Sequence, residues 1–359
     1  MVSPPRPSEL GYRLVLVVAL LAGRHTLGMD AVRIAPDQKH FVLVPSGERF
    51  VPWGHNYGSV DLLGRLAQDP DRVRRDFADM KAAGTTVARV HPEMPALLLG
   101  PDRANPQALE RLRQLLAIAE ESGIYLHITG LACYQIKDRM EWYDALDNSR
   151  RWQVQEFFWS TIAETCKASP AVFCYDLVNE PAASAKQADG WYTGRMGEVE
   201  FCQRLVLDQP NRTGDDIFRD WTGRMVAAIR KHDPKRLTTL GMLPFPGAYK
   251  AAAEQLDFVS PHLYPKTKGV TAEIELLRKF DFGKPIVIGE TFPLSCSAAE
   301  EREFLLESRG LAQGWIGHWP DETPEQLREL KEQSKITIAQ SIWLSWVELF
   351  RDVGPDMTR

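Results

Sequence analysis

The chain has 359 residues, of which 44% are hydrophobic and 25% are charged, proportions that are ordinary for a globular protein. This length accommodates one large α/β domain or two smaller ones. The formal net charge is −5, and no basic stripe or block of like charge stands out, so the composition excludes nucleic acid from the expected partners.

The N-terminal residues have the pattern of an export signal. Arg6 and Arg13 precede an apolar run at 14–23, and a short positive region followed by such a run is typical of a signal peptide. The run is shorter than the roughly 20 apolar residues that a membrane span needs. We therefore predict that residues 1–30 are a leader, that the protein is secreted or periplasmic, and that no stable membrane partner remains after cleavage. An uncleaved N-terminal membrane anchor is the alternative.

Strand and helix patterns alternate along the rest of the chain. A hairpin at 41–52 is expected first. The predicted strands then lie at 53–57, 85–90, 124–128, 171–178, 237–240, 258–262, 285–289 and 314–317. The predicted helices lie at 71–83, 106–122, 152–167, 215–232, 272–280, 298–308 and 324–351. Eight strands in alternation with helices predict a single (β/α)8 barrel over 31–359, preceded by the short hairpin, and not an open doubly wound sheet. The insertion at 182–211, after strand four, exceeds the usual connection length and is expected to shape the mouth.

Two of the predicted strands stop abruptly at a glutamate. The segment LVNEP at 177–181 ends strand four with Glu180, and IVIGE at 286–290 ends strand seven with Glu290. The carboxyl ends of barrel strands meet at one mouth, so these two side chains are expected to face each other. Two facing carboxyl groups are the minimal equipment for cleaving a glycosidic bond.

Polar and aromatic side chains occupy other predicted strand ends as well. They are His55, Asn56 and Tyr57 on strand one, Arg89 and His91 on strand two, His127 on strand three, Asn179 on strand four, His262 and Tyr264 on strand six, and Trp315, His318 and Trp319 on strand eight. Apolar strand bodies with polar and aromatic tips predict a polar basin of carbohydrate size above a packed core.

This arrangement resembles glycoside hydrolase clan A, and most closely its family five, the cellulase-like group. The resemblance covers the barrel from about residue 50 to the C-terminal helix. It implies a retaining reaction in which Glu290 is the nucleophile and Glu180 the acid/base. It also implies a set of substrate-binding or positioning residues, namely Arg89, His127, Asn179, His262, Tyr264 and Trp319. Trp319 matches the family's strand-eight tryptophan, which forms an apolar floor under the reacting sugar, although here His318 precedes it on a short strand.

The expected activity is hydrolysis of O-glycosidic bonds in a β-linked glucan, mannan or related oligosaccharide, so the expected partner is an oligo- or polysaccharide. No cofactor and no metal are expected, because the chain has no H-E-x-x-H spacing and no G-x-G-x-x-G loop. Two alternatives stay open on the residues alone. One is a catalytically inactive carbohydrate-binding barrel, and the other is a transglycosylase that uses the same glutamates.

Overall fold

The computed structural model describes residues 28–58, 60–131, 134–184 and 187–359. The predicted leader at 1–30 lies almost wholly outside these residues, so export and cleavage stay predictions. None of the helices in the described part of the chain is both long and apolar enough to cross a membrane.

The described residues form sixteen strands, twelve helices and a 3₁₀ turn at Ile136–Asp138. The strands are β1 (Ala31–Ile34), β2 (Phe41–Val44), β3 (Arg49–Phe50), β4 (Trp53–Tyr57), β5 (Val87–Val90), β6 (Leu98–Gly100), β7 (Arg103–Ala104), β8 (Tyr125–Thr129), β9 (Tyr134–Gln135), β10 (Val172–Asn179), β11 (Tyr192–Met196), β12 (Val199–Gln203), β13 (Leu237–Met242), β14 (Ser260–Pro261), β15 (Val287–Ile288) and β16 (Gly314–His318). The helices are α1 (Leu62–Gln68), α2 (Pro70–Ala82), α3 (Met94–Leu97), α4 (Pro106–Ser122), α5 (Glu141–Asp144), α6 (Asn148–Cys166), α7 (Gly214–Arg230), α8 (Pro246–Ala253), α9 (Val270–Arg278), α10 (Ala298–Ser308), α11 (Pro324–Glu332) and α12 (Ile338–Met357).

Eight of the strands form one parallel sheet in the order β14-β13-β10-β8-β5-β4-β16-β15. Parallel bridges between Val259 and Ile286, and between His262 and Glu290, join its two outer strands. The sheet therefore closes on itself, and the prediction of a (β/α)8 barrel is confirmed. Each predicted strand corresponds to one barrel strand, but strands six and seven contract to the two-residue β14 and β15.

The N-terminal hairpin belongs to a small antiparallel sheet, β1-β2-β3, that plugs one end of the barrel. Phe41 on β2 is fully buried, and its ring meets those of Phe173 and Phe258 edge-on with both centroids 5.3 Å away. Those two rings stack on each other at 5.3 Å, and His127 packs above them. This aromatic layer is the floor on which the polar layer of the barrel rests.

Local capping explains where the C-terminal helices begin. The prediction of one continuous helix at 324–351 is wrong, because a second capping box, Thr337 with Gln340, starts α12 after α11 has ended. Between the two helices, Ser334 has a left-handed backbone with φ of 56°. Such a residue interrupts the helical hydrogen-bond ladder, so the chain turns before α12 packs against the barrel.

The insertion at 182–211 contains its own hairpin. Its strands β11 and β12 pair antiparallel, and β12 also pairs with β9, which follows barrel strand β8. The insertion is thus joined to the loop after strand three, and both lie on the mouth side of the barrel, where β10 ends.

Replacing Phe41 with alanine is expected to lower the free energy of unfolding by about 3–5 kcal/mol, because a fully buried ring is removed and a cavity is left. Chemical denaturation measures this change. Leu99→Ala is the matched control. This side chain, on β6, is 47% exposed, so its loss should change stability by no more than about 0.5 kcal/mol. Equal effects of the two substitutions would contradict the role of the hairpin as a plug.

Candidate active site

A single guanidinium group ties the mouth of the barrel together. Arg89, on β5, is fully buried. Its Nη1 donates to Asn56 Oδ1 at 2.7 Å and to Glu290 Oε1 at 2.6 Å. Its Nη2 donates to Asn179 Oδ1 at 2.8 Å and to Asp176 Oδ2 at 2.9 Å. Arg89 thereby links four barrel strands, and burial of its charge is offset by two carboxylates.

The second buried charge of this network is Asp176, in the interior of β10. Besides Arg89, it accepts hydrogen bonds from Thr129 Oγ1 at 2.9 Å and from the amide of Gly241 at 2.6 Å, and His127 Nε2 lies 3.3 Å away. Burial by itself raises the pKa of Asp176, but Arg89, His127 and the Gly241 amide outweigh it and hold the pKa well below its usual range. The sequence analysis missed Asp176. A single aspartate inside an otherwise apolar strand was the feature that could have identified it.

Glu290 lies where β15 ends, and both of its oxygens are engaged. Oε1 accepts from Arg89, and Oε2 accepts from the Tyr264 hydroxyl at 2.5 Å. Oε2 also lies 3.5 Å from His262 Nδ1 and 3.8 Å from His318 Nε2. Burial favours the neutral acid, but His262, Arg89, His318 and the Tyr264 hydrogen bond together hold the pKa of Glu290 below its ordinary value. The site therefore keeps Glu290 ionised.

Glu180 follows β10 in a left-handed backbone conformation, with φ of 51°. Non-glycine residues rarely adopt this conformation, and strain of this kind clusters at functional sites. Its Oε1 lies 2.8 Å from His262 Nδ1, so this imidazole stands between the two glutamates. One oxygen of Glu180, one oxygen of Glu290 and a His262 nitrogen all lie within 4.8 Å of one another.

Strand β12 of the insertion holds the Glu180 loop in place. The Asn179 side chain donates to the Phe201 carbonyl at 3.3 Å, and the Cys202 thiol donates to the Glu180 carbonyl at 2.9 Å. The amide of Ala182 donates to the Gln203 carbonyl at 2.9 Å. The insertion is therefore part of the site and not only a rim, which its length alone did not indicate.

Two glycines let neighbouring strands approach the charged side chains. A Cβ atom on Gly241 would lie 2.7 Å from Arg89 Nη2 and 2.8 Å from His262 Nε2. A Cβ atom on Gly289 would lie 2.5 Å from the Ser260 hydroxyl. Any larger residue at either position would displace the network.

The structure brings together six of the eight residues proposed from the sequence. They are Arg89, Asn179, Glu180, His262, Tyr264 and Glu290. His127 lies one layer deeper and has no exposed surface. It contacts Asp176 and the aromatic layer below, so its side chain supports Asp176.

Trp319 lies outside the basin. Its ring meets His55 edge-on at 5.0 Å, and it borders a surface pocket shared with residues of α2 and α12. Successive residues of a strand point to opposite faces, so the inward position belongs to its neighbour His318. The expectation that Trp319 forms the floor of the basin is not met in this structure, and His318 is the residue of the two that faces the basin.

Of the remaining strand-end side chains, some have structural roles and others belong to the site. His55 faces away from the basin and its Nδ1 lies 2.9 Å from Thr85 Oγ1, and burial lowers its pKa to about 3. His91 is buried beside Arg89, 3.4 Å from Nη1, whereas Asn56 belongs to the network. Among the described residues, only Glu180, His262 and Glu290 are close enough to share a metal ion. Both oxygens of Glu290 already accept hydrogen bonds, so this set fits a cation poorly.

Replacing Tyr264 with phenylalanine is expected to raise the pKa of Glu290 by about one unit. The hydroxyl stabilises the carboxylate and not the neutral acid, and a hydrogen bond to a charged group contributes roughly this much. In a carbon-13 NMR titration, the Glu290 carboxyl signal should therefore begin to move at a higher pH. Tyr125→Phe removes a hydroxyl at the opposite end of the barrel, bonded to the Asp30 carbonyl, and should leave Glu290 unchanged. An unchanged Glu290 pKa in the Tyr264 variant would contradict the hydrogen bond from the Tyr264 hydroxyl to Glu290.

Solved structures with this architecture are numerous, but all those named here are distant in sequence. The exo-β-1,4-mannosidase Op5Man5 from Opitutaceae bacterium strain TAV5 is 17% identical with a TM-score of 0.66; the match covers 91% of this chain but only 62% of the mannosidase. A β-glucanase from Saccharophagus degradans, SdGluc5_26A, is 15% identical with a TM-score of 0.62, covering 92% and 94% of the two chains. A family 5 mannosidase from Rhizomucor miehei is 14% identical with a TM-score of 0.61, covering 92% and 98%.

These structural similarities show the fold alone. No curated protein sequence matches the chain. The family model described as cellulase, glycosyl hydrolase family 5, matches residues 65–290, which is well over half of the chain and includes both glutamates. The chain therefore belongs to glycosyl hydrolase family 5.

Proposed function

We propose that this chain is a retaining O-glycosyl hydrolase in which Glu290 is the nucleophile and Glu180 the acid/base. The observation that carries the proposal is the spacing of the two carboxyl groups, whose nearest oxygens lie within 4.8 Å. Retaining enzymes hold this pair about 5–5.5 Å apart, whereas inverting enzymes leave about 6.5–9.5 Å for a water molecule. The spacing therefore supports direct attack by one carboxylate.

The two glutamates also have different surroundings, as different roles require. Glu290 accepts hydrogen bonds from Arg89 and Tyr264, and these favour the carboxylate that attacks the anomeric carbon. Glu180 contacts the His262 imidazole and the Cys202 thiol, and no arginine or lysine of the described residues pairs with it. The cationic contacts that stabilise a carboxylate are therefore concentrated on Glu290, which fits the nucleophile and leaves Glu180 for the acid/base role.

In the first step, Glu290 forms a bond to the anomeric carbon while Glu180 passes its proton to the departing glycosidic oxygen. In the second step, Glu180 takes a proton from water, whose oxygen displaces Glu290 and regenerates both groups. Asn179 is held by Arg89 and β12 with its amide at the mouth, where it supports a hydrogen bond to the sugar 2-hydroxyl. Such contacts strengthen in the oxocarbenium-like transition state.

For the substrate, we propose a β-linked mannan, glucan or related oligosaccharide. The support is family membership together with the activities of three structural neighbours, a β-1,4-mannosidase, a mannosidase and a β-glucanase. The same active-site chemistry would act on all of these sugars, so a panel of substrates is needed to identify the one that is cleaved.

The test measures sugar release from mannans, glucans and aryl β-glycosides, with Glu180→Gln and Glu290→Gln beside the unaltered chain. Turnover on one class is expected, and each substitution should reduce it by roughly 10³-fold or more, because acid–base or nucleophilic catalysis is lost. The matched control is Glu198→Gln, on the exposed turn of the insertion hairpin, which should keep full activity.

Proton NMR of the first-formed product separates the mechanisms. Retention of the β-anomer is expected; the α-anomer as first product would overturn the retaining assignment. Binding of oligosaccharide without turnover would favour the carbohydrate-binding alternative, and transfer to a sugar instead of water would identify a transglycosylase.

We also propose that the protein acts outside the cytoplasm after loss of residues 1–30. The support is the positively charged and apolar pattern at its N-terminus. N-terminal sequencing of the protein recovered from its native host is expected to begin between residues 24 and 31. Recovery of the intact N-terminus in the membrane fraction would favour the anchor instead.

A further inference from the structure

His318 lies beside the nucleophile but has no part in the reaction as proposed above. We propose that His318 is a positioning residue for Glu290: its Nε2–H donates to the Tyr264 hydroxyl, and the proton of that hydroxyl is thereby directed to Glu290. The proposal rests on the proposed function for the role of Glu290 as nucleophile, but its geometry does not depend on turnover.

Hydrogen-bond geometry sets the direction of this chain. The Tyr264 oxygen lies 2.5 Å from Glu290 Oε2 and 3.1 Å from His318 Nε2. A phenol has a single proton, and an ionised carboxylate can only accept. The Tyr264 proton therefore goes to Glu290, and the phenol oxygen can only accept from the imidazole. Nε2 of His318 must then carry a hydrogen.

The surroundings keep the imidazole neutral. Its titratable and charged neighbours are Glu290, Tyr264, Arg89 and His262 in the basin, together with His55 on the paired strand β4. Burial is the largest influence and lowers the pKa of His318; Arg89 and His262 lower it further, and Glu290 opposes them. A neutral imidazole has one N–H only, so the Nε2–H tautomer is required. Direct contact with Glu290, at 3.8 Å, is too long for a hydrogen bond.

The ring of His318 is held in this orientation by its packing. It lies nearly parallel to the Tyr264 ring, at 27° and 6.3 Å, and meets Phe292 edge-on at 5.9 Å. Its carbonyl accepts from Trp346 Nε1 at 2.9 Å. The donor is thus aimed before any ligand arrives, and hydrogen bonds in a chain reinforce one another in a buried site.

The first experiment is nitrogen-15 NMR of the imidazole resonances of the whole protein without substrate. We expect His318 to be neutral with the hydrogen on Nε2 at neutral pH, because burial lowers the pKa of this imidazole below its ordinary value. A hydrogen on Nδ1 alone, or a charged ring at neutral pH, would overturn the proposal. Since no turnover is involved, this result is independent of whether the chain hydrolyses any glycoside.

Two substitutions then separate the donor from the ring. His318→Phe keeps a flat ring against Phe292 but removes the donor, whereas His318→Gln keeps an N–H at a similar reach. We expect the phenylalanine variant to raise the pKa of Glu290 and to lower kcat/KM roughly fivefold to tenfold, the size of effect that one hydrogen bond produces. In the glutamine variant, the Glu290 pKa and kcat/KM should both lie close to those of the unaltered chain.

His40→Phe is the control, because this histidine pairs with Asp37 on the plug at the far end of the barrel. It should change neither quantity. Equal losses in the phenylalanine and glutamine variants would reduce His318 to a packing residue, and an unchanged Glu290 pKa in the phenylalanine variant would contradict the hydrogen-bond chain. Absence of glycosidase activity in the unaltered chain, with the NMR results as expected, would count against the proposed function and not against this inference.

Discussion

The buried ion network of Arg89, Asp176 and Glu290 is the constraint on which the mouth of this barrel depends. A guanidinium with no exposed surface is strongly destabilising unless its charge and its N–H groups are matched. Here two carboxylates and two amide oxygens match them. Because the partners come from different strands, the strand ends can occupy only one relative position, and that position places Glu290 near Glu180. The arrangement that pairs the buried charges is therefore also the one that preorganises the site.

Three parts of the structure pack closely around this network. Below it, the hairpin plug and the stacked rings of Phe173 and Phe258 supply an apolar floor. Beside it, Gly241 and Gly289 provide room that a side chain would fill. At the end of strand four, β12 holds the strained Glu180 loop through the Ala182–Gln203 backbone hydrogen bond and through the Cys202 thiol, which donates to the Glu180 carbonyl. The strain at Glu180 is thus maintained by contacts outside the two glutamates, as expected for a conformation that the local sequence does not favour.

Much of the fold could be predicted, because periodicity and capping are local. The helix at Pro106–Ser122 has its predicted bounds, with Gly123 ending it in a left-handed turn. Both glutamates were identified because each follows an apolar strand at its carboxyl end, and parallel strands deliver such ends to one face. The breaks between elements were harder: α11 and α12 look continuous by periodicity, and only the capping box at Thr337 separates them.

By itself, the sequence determined the barrel, the two glutamates at its mouth and the family resemblance, since each depends on patterns within a few residues. Tertiary structure decided which side chains meet. Whether His318 or Trp319 faces the basin depends on the register of β16 against β4, a property of pairing between distant segments. Asp176 became a site residue only when Arg89 and His127 were brought against it across two neighbouring strands. Long-range contacts of this kind leave no local periodicity, so no pattern along the chain reports them.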